Sequence, residues 1–267
     1  MLFFIGSEKM LSLEKINDFL CDELKEIEIN IFDEVISTNT LLKEQGKNKN
    51  EWCTFVASSQ TGGKGRLGRS FHSPKDSGVY FSVLLKPNLE IEKAILITTA
   101  ADVAVTRSLE NLGCKNSQIK WVNDVFVNNK KVCGILCESV INATTKKLDF
   151  AVLWVGINLV RPKDDFPEDI KNIAGAVFEN DSGELKERFV AEFLNAFYMI
   201  YDNLSTLSFM DEYREKCFFL GEEITVINGE KKVKAKAISI DENARLEVEF
   251  ESGEREKLSS GEISIKL

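Results

Sequence analysis

A segment with four glycines and three cations separates two apolar stretches of the chain. It reads "SSQTGGKGRLGRSFHSP" from Ser58 to Pro74, with "WCTFVASSQ" leading into it and "GVYFSVLL" following it. Such frequent glycines disfavour both helix and strand, because glycine loses more conformational freedom on folding than any other residue. The flanking runs have the composition of strands. The sequence therefore predicts two core strands joined by a loop, which is either a surface loop with incidental charge or one whose backbone approaches an anionic ligand closely.

The composition narrows the class of protein. With 267 residues, 43% hydrophobic and 29% charged, the chain is long enough for one large domain or a large and a small one. A net charge of −9 opposes nonspecific binding to nucleic acid or to an anionic membrane. The opening "MLFFIGSEKM" is short in apolar residues and lacks a basic lead, and no later stretch approaches the ~20 apolar residues that span a bilayer. We expect a cytoplasmic protein without a membrane partner.

Cysteine and histidine content limits the chemistry further. The six cysteines are scattered, and only Cys133 and Cys137 are near each other, without a second pair or a histidine cluster to complete a zinc site. We expect buried, reduced thiols. The single histidine, His72, excludes a multi-histidine metal site and leaves a histidine triad only if His72 is itself the base. We interpret it as a loop residue.

The rest of the first 216 residues alternates between strand and helix patterns. "EIEINIFDEV" has strand alternation, and "STNTLLKEQG" predicts a helix capped by Ser37 or Thr38 and ended by Gly46. Apolar residues at helical spacing predict helices within 90–113 and 185–204. Strand-like pieces follow the first of these two helices, and "VNNK" between two of them predicts a hairpin turn. The pieces are "IKW", "VFV", "KVCGILCESV" and "LDFAVLWVGINLV".

The pattern of apolar and polar residues changes after about Cys217. Four or five short alternating strands, separated by "NG", "DENA" and "SG" turns, fill the last 50 residues or so. This pattern predicts a small β-barrel appended to an α+β body.

Two further polar clusters accompany the glycine loop. Lys120, Asn123 and Asp124 gather where two strand pieces meet, and Lys131 opens the next strand. Asp124 is either an ion-pair partner of Lys120 or a Mg²⁺ contact beside phosphates. Asn158, in "WVGINL", is either a turn former or a reader of a purine edge. The loop itself is not a phosphate-binding P-loop, since Ser58 replaces the required first glycine and Lys64 is followed by Gly65.

Together these motifs resemble the bacterial biotin–protein ligases, in that family's order from about Asn30 to the end of the chain. The matching motifs are "STN" (37–39), "QTGGKGRLGRSFHSP" (60–74), "KWVND" (120–124), "KKVCGILCE" (130–138), "VGIN" (155–158) and "GEIS" (261–264). The sequence departs from the family's usual residues at four positions. Val122 stands for proline, Phe71 for tryptophan, Lys64 for arginine and Cys133 for alanine.

The resemblance implies an α+β fold in two domains. Residues 1–216 would form a catalytic domain, a mixed sheet flanked by helices like the core of class II synthetases, and residues 217–267 an SH3-like β-barrel. The activity implied is activation of biotin by ATP, with Mg²⁺, to biotinyl-5′-AMP, and transfer to a lysine of a biotin carboxyl carrier protein. A lipoate or octanoate ligase or transferase of the same fold is the alternative. The ~30 residues before the first core strand are too few for the family's DNA-binding module, so we expect no DNA partner, and edge strands leave a homodimer open.

The resemblance also assigns residues to roles. Lys131 and Arg66 would be catalytic, holding the reacting carboxylate and phosphate oxygens, and Asp124 would contact the metal. The biotin site would comprise Ser37, Thr38, Asn39, Gln60, Lys64, Gly65, Arg66, Lys131 and Gly134. The ATP site would comprise Arg66, Arg69, Phe71, Lys120, Asn123 and Asn158, with Lys266 as a further phosphate contact. Phe71 would stack on adenine, and Asn158 would read its edge.

Overall fold

The computed structural model describes residues 11–87, 89–142, 144, 147–181, 183–229 and 231–265. Within them, twelve strands and five α-helices alternate in the first part of the chain and give way to strands alone in the last part. The helices are α1 (Leu13–Phe19), α2 (Thr38–Gln45), α3 (Ile95–Asn111), α4 (Leu185–Asp202) and α5 (Met210–Lys216). The strands are β1 (Ile29–Val35), β2 (Thr54–Gln60), β3 (Gly78–Leu85), β4 (Gln118–Lys120), β5 (Asp124–Val127), β6 (Lys130–Ile141), β7 (Leu148–Asn158), β8 (Glu223–Asn228), β9 (Lys231–Ile240), β10 (Leu246–Phe250), β11 (Arg255–Leu258) and β12 (Glu262–Ile265).

The first seven strands form one mixed sheet. Its order is β1-β2-β3-β7-β6-β5-β4, with β1 and β2 parallel and the other neighbours antiparallel. The remaining strands form a five-stranded antiparallel sheet in the order β11-β10-β9-β8-β12. The predicted α+β fold, with helices flanking a mixed sheet and a small all-β unit after them, is confirmed. The proposed boundary after residue 216 coincides with the end of α5.

Local chemistry accounts for several element ends. Ser37 caps α2, its hydroxyl accepting from the backbone N–H of Thr40, and Gly46 follows the last residue of that helix. Gly113 follows α3 with φ of +96°, the left-handed conformation that suits the end of a helix. Asn128 and Asn129 both have positive φ, 50° and 60°, as a tight hairpin turn between β5 and β6 requires. The predicted ends of α2 and the predicted hairpin turn are confirmed.

The two faces of the mixed sheet differ in what covers them. Helices α3 and α4 cover one face with a large apolar core, which includes Phe81, Leu153, Phe189 and Phe193. Helix α2 covers part of the other face over a smaller cluster that includes Leu42, Leu84, Phe150 and Val152. Because side chains alternate across a strand, Ser82, Trp154 and Gly156 share this second face. The polar residues discussed next lie beyond the edge of that smaller cluster.

No helix of the described residues is long and apolar enough to cross a membrane.

Candidate active site

A buried polar network links the start of α2 to the ends of two strands. The backbone N–H of Thr38 donates to Gln60 Oε1 at 2.8 Å, and its hydroxyl lies 3.1 Å from the same atom. The hydroxyl also lies 2.9 Å from Ser82 Oγ. Parallel pairing of β1 with β2 places Val35 beside Gln60, which brings the turn into α2 against the end of β2. The predicted residues Ser37, Thr38 and Gln60 therefore lie together, and Ser82 joins them although the sequence did not single it out.

Asn39 follows Thr38 in α2, but its side-chain amide makes no hydrogen bond. Both its Oδ1 and its Nδ2 are buried without a hydrogen-bond partner, and the residue is wholly shielded from solvent. Buried amides are nearly always paired, so the unpaired amide points to a partner that the described residues do not supply.

The glycine loop is folded back on itself. The Gly65 N–H donates to the Arg69 carbonyl at 2.7 Å, and the Phe71 N–H donates to the Gly63 carbonyl at 3.0 Å. A Cβ at Gly63 would lie 2.6 Å from the Phe71 carbonyl oxygen, so this position requires glycine. Because the Gly65 amide is engaged within the loop, its predicted contact with a ligand requires the loop to rearrange. Lys64 is exposed.

A cleft between this loop and the five-stranded sheet is lined by charged side chains. Four cations and two carboxylates line it, namely Arg66, Arg69, Lys120, Lys131, Asp124 and Glu262. Arg66 donates to Asn123 Oδ1 at 3.1 Å and to the Gly261 carbonyl at 3.4 Å. Arg69 donates to Glu262 Oε2 at 2.7 Å. With two positive charges in excess, the cleft suits an anion.

Strand pairing positions the polar block that forms the floor of the cleft. In register, Lys120 lies opposite Asp124, and Asp124 lies opposite Gly134. Lys131 Nζ forms an ion pair with Asp124 Oδ1 at 2.6 Å, so the partner of Asp124 is Lys131 and not Lys120. Burial lowers the pKa of Lys120, and the nearby Asp124 carboxylate opposes that shift.

Two hydrogen bonds to Ile135 hold Asn123 in place despite the departure at Val122. Its Nδ2 donates to the Ile135 carbonyl at 2.9 Å, and its own carbonyl accepts from the Ile135 N–H at 2.9 Å. The preceding Trp121–Val122 peptide bond is cis. Trp121 in turn donates from Nε1 to the Ala244 carbonyl at 2.9 Å, which ties this block to the second sheet.

Phe71 and Asn158 lie at the other side of Lys131. The Phe71 ring covers the strand floor, where a Cβ at Gly134 or at Gly156 would lie 3.1 Å from it. Asn158 donates from Nδ2 to the Gly175 carbonyl at 3.2 Å, and its Oδ1 is buried without a hydrogen-bond partner. Their roles toward adenine stay predictions. Lys266 lies outside the described residues.

The thiols provide no nucleophile for this site. All six cysteines are free, and burial raises the pKa of Cys133 well above its ordinary value and that of Cys137 to about 12. His72 is exposed in the loop region, as expected. The described residues contain no group of three or more histidine, cysteine or carboxylate side chains that could hold a metal ion alone.

Sequence reasoning missed the residues that the second sheet brings to the cleft. The sequence places the segment ending in "GEISIKL" near the nucleotide or the carrier but assigns no contact to Gly261 or Glu262; in the structure Gly261 contacts Arg66 and Glu262 contacts Arg69. Segment 172–175 was also missed, although the Lys131 N–H donates to the Ile173 carbonyl at 2.8 Å. Both contacts join distant parts of the chain, and no local sequence pattern predicts them.

The sequence matches two family profiles and several known proteins. The profile of the Biotin/lipoate A/B protein ligase family matches residues 32–158, and that of the Biotin protein ligase C terminal domain matches residues 219–266. The bifunctional ligase/repressor BirA of Bacillus spizizenii is 34% identical over 160 residues, which are 59% of this chain and 48% of that protein. The biotin–[acetyl-CoA-carboxylase] ligase of Mycobacterium tuberculosis is 26% identical over 215 residues, covering 78% of this chain and 77% of that protein.

A solved structure extends the likeness to most of the fold. The biotin protein ligase of Aquifex aeolicus in complex with biotin and ATP is 29% identical, with a TM-score of 0.71 over 89% of this chain and 97% of that one. The chain spans about half the length of the Bacillus relatives that it matches.

Proposed function

The chain belongs to the biotin protein ligase family, and on that premise we propose that it activates biotin with ATP and transfers the biotinyl group to a carrier protein. The acceptor would be a lysine of a biotin carboxyl carrier protein, which is part of acetyl-CoA carboxylase or of another biotin-dependent carboxylase. The relative of known structure binds both small substrates, and its likeness covers nearly the whole of this chain.

One observation supports the proposal above all. The glycine loop joins a cleft with an excess of cations to a buried polar network, since Gly63 lies against Gln60 of the network and Arg66 lines the cleft. Lys131 also lines the cleft, with its stem against Gly134. A carboxylate and a triphosphate repel one another, so their reaction needs a site that holds both and neutralises charge as it develops. The cleft provides the neutralising charge, and the network provides a place for the uncharged end of the acid.

The proposed reaction has two displacements. A biotin carboxylate oxygen attacks the α-phosphorus of ATP, the bond to the β-phosphate's bridging oxygen breaks, and pyrophosphate leaves. The amine of the carrier lysine then attacks the acyl carbon, loses a proton, and AMP leaves. Lys131 and Arg66 would hold the two reacting anions together, while Arg69 and Lys120 would hold the outer phosphates. No covalent enzyme intermediate is needed, consistent with the buried thiols.

Asp124 fits a magnesium site shared with phosphates. It is the carboxylate on the floor of the cleft, and Mg²⁺ in nucleotide sites commonly takes one or two carboxylates and completes its shell with phosphate oxygens and water. A bound Mg²⁺ would supply charge neutralisation for the phosphates. Asp124 would have to exchange its ion pair with Lys131 for that contact, which would free Lys131 for the substrates.

The alternative acid is lipoate or octanoate, and the matched family is that of the biotin and lipoate protein ligases. The match of residues 219–266 to the biotin ligase C-terminal domain favours biotin. Isothermal titration with biotin and with lipoate separates the two, and tighter binding of lipoate would assign the chain to the alternative.

The activity itself is tested with a carrier domain. Incubation with this protein, biotin and MgATP should add one biotinyl group to the domain by mass spectrometry, with release of pyrophosphate. The matched controls omit biotin or replace the acceptor lysine by arginine. A carrier domain of unchanged mass, under conditions where a known ligase modifies it, would contradict the proposal.

A further inference from the structure

Trp154 lies beside the polar network but has no part in the reaction as proposed. It is in the middle of β7, opposite Ser82 of β3 and Leu136 of β6, and is 1% exposed. Directly opposed residues of neighbouring strands have Cβ atoms about 5 Å apart. Since Ser82 Oγ contacts the Thr38 hydroxyl, the indole is a near neighbour of the network.

The indole occupies the floor next to Lys131. A Cβ at Gly156 would lie 2.3 Å from Trp154 Cη2 and 2.5 Å from Cζ2, so the ring lies directly over that glycine. The Phe71 ring stands edge-on to it at 5.1 Å. Phe71 belongs to the loop region, whereas Trp154 lies in a central strand. Gly156, beside the indole, is opposite Gly134 of β6, and Gly134 lies against the stem of Lys131, so the indole is close to Lys131.

The indole N–H is unpaired. Trp154 Nε1 is buried without a hydrogen-bond partner, like both amide atoms of Asn39. Nε1 adjoins the same ring edge, Cζ2–Cη2, that covers Gly156. Together, Trp154 and Asn39 therefore offer two donor nitrogens and one acceptor oxygen that the described part of the protein leaves unused. Native proteins pair such groups almost without exception, so the missing partners point to a ligand with a polar head.

We propose that Trp154 determines which acid the site accepts, by forming one side of the region beside Lys131 and by donating its indole N–H to the acid's polar head. The proposal rests on the function proposed above. It selects an acid whose end remote from the carboxylate carries both a carbonyl and N–H groups, as the cyclic urea of biotin does. Octanoate and lipoate carry neither, and would leave three buried polar atoms unpaired.

The expected discrimination is large. A site built around hydrogen bonds rejects an analogue that lacks the partner group by roughly 10⁴-fold, far more than a purely apolar pocket achieves. The wild-type protein should therefore bind biotin at least 10³-fold more tightly than octanoate, by this reasoning.

The test replaces the indole N–H and keeps an aromatic ring. Trp154→Phe should raise the Kd for biotin about 10-fold, the effect of one lost hydrogen bond to a buried group, and leave the KM for MgATP within about twofold. Trp52→Phe is the matched control, because Trp52 packs on Phe197, Tyr198 and Tyr201 and belongs to no part of the site. Thermal melts establish that both variants fold.

A ligand-side measurement covers the case in which Trp154→Phe does not fold. In 2-iminobiotin the urea carbonyl is replaced by a guanidinium, which donates and does not accept. The wild type should bind it about 10-fold or more weakly than biotin, and Trp154→Phe should narrow that ratio. An unchanged Kd for biotin in a folded Trp154→Phe, or equal wild-type affinities for biotin and iminobiotin, overturns the inference.

The outcomes separate this inference from the proposed function. Tight biotin binding with the expected loss in Trp154→Phe, but no pyrophosphate release, supports the role of Trp154 and contradicts the ligase activity. If octanoate supports pyrophosphate release as well as biotin does, the ligase activity is supported and the role of Trp154 is contradicted. Binding of neither acid contradicts both.

Discussion

Removal of the Glu262 charge should strengthen binding of ATP. Glu262 pairs with Arg69 at 2.7 Å across the cleft that we propose for the phosphates. The side chain of Arg69 is 67% exposed and that of Glu262 is 25% exposed. An exposed pair of this kind contributes ~1 kcal/mol or less, so phosphate can displace the carboxylate at small cost. Glu262 would thus hold the arginine until the nucleotide arrives.

The size of the effect follows from the charges. Glu262→Gln changes the cleft from four cations and two carboxylates to four cations and one. A carboxylate about 7 Å from a phosphate charge repels it by ~0.6 kcal/mol in water and by about twice that at half the dielectric constant. The KM for MgATP should therefore fall about 3- to 8-fold at low ionic strength. The gain should disappear near 0.5 M salt, where the screening length is about 4 Å.

The assay is steady-state pyrophosphate release with saturating biotin and varied MgATP. Glu256→Gln is the control, since it removes one charge from an exposed position of β11 in the same sheet. The KM for biotin should not change in either variant. If Glu262→Gln instead raises the KM for MgATP at low salt, then Glu262 orders the loop for ATP and the displacement argument is wrong.

Three further predictions concern the same site and the core behind it. Lys131→Ala should slow pyrophosphate release about 100- to 1,000-fold, as loss of a charge-stabilising donor does. Lys64→Ala, at an exposed position, should change the rate by no more than about threefold. Equal losses in the two variants would mean that the charges are wrongly assigned. Amides of 62–68 should exchange hydrogen more slowly with biotin and MgATP than without, because closure protects an adenylate from water; identical exchange contradicts closure. Asp102 is wholly buried in α3 with both carboxylate oxygens unpaired, and burial, with the Asp124 charge, raises its pKa well above the ordinary value. The contribution of the neutral Asp102 carboxyl to stability is complete below the unfolded pKa of about 3.9 and is lost as pH rises through the folded pKa. The difference in Tm between Asp102→Asn and the wild type should therefore grow in favour of the variant from about pH 5 to about pH 8. A difference that stays constant with pH refutes this.

Elements governed by local chemistry could be predicted from the sequence. β3 has the same bounds as the apolar run "GVYFSVLL", because the glycine loop before it and the "KP" dipeptide after it interrupt the strand pattern. α2 begins after its serine cap, and the asparagine turn between β5 and β6 has the positive φ values that asparagine tolerates. The barrel-like texture after residue 217 corresponds to five strands.

What escaped prediction depends on contacts between distant segments. α1 and α5 have seven residues each, too few for a clear period. The ion pairs of the cleft were not predictable, because Arg69 meets Glu262 only through the docking of the second sheet. Lys120 and Lys131 were both candidates for pairing with Asp124. Lys120 lies directly opposite Asp124 in register, yet the ion pair forms with Lys131, which the strand pattern alone does not predict.

The central claim is that the cationic cleft and Lys131 join a carboxylate to the α-phosphate of ATP. Its most direct test is a quenched single-turnover reaction of the protein with biotin and MgATP in the absence of any carrier, followed by mass spectrometry of the bound products. The account predicts about one biotinyl-5′-AMP and one pyrophosphate per active site, both lost in Lys131→Ala. Pyrophosphate without the mixed anhydride, or an undiminished yield in that variant, would contradict it.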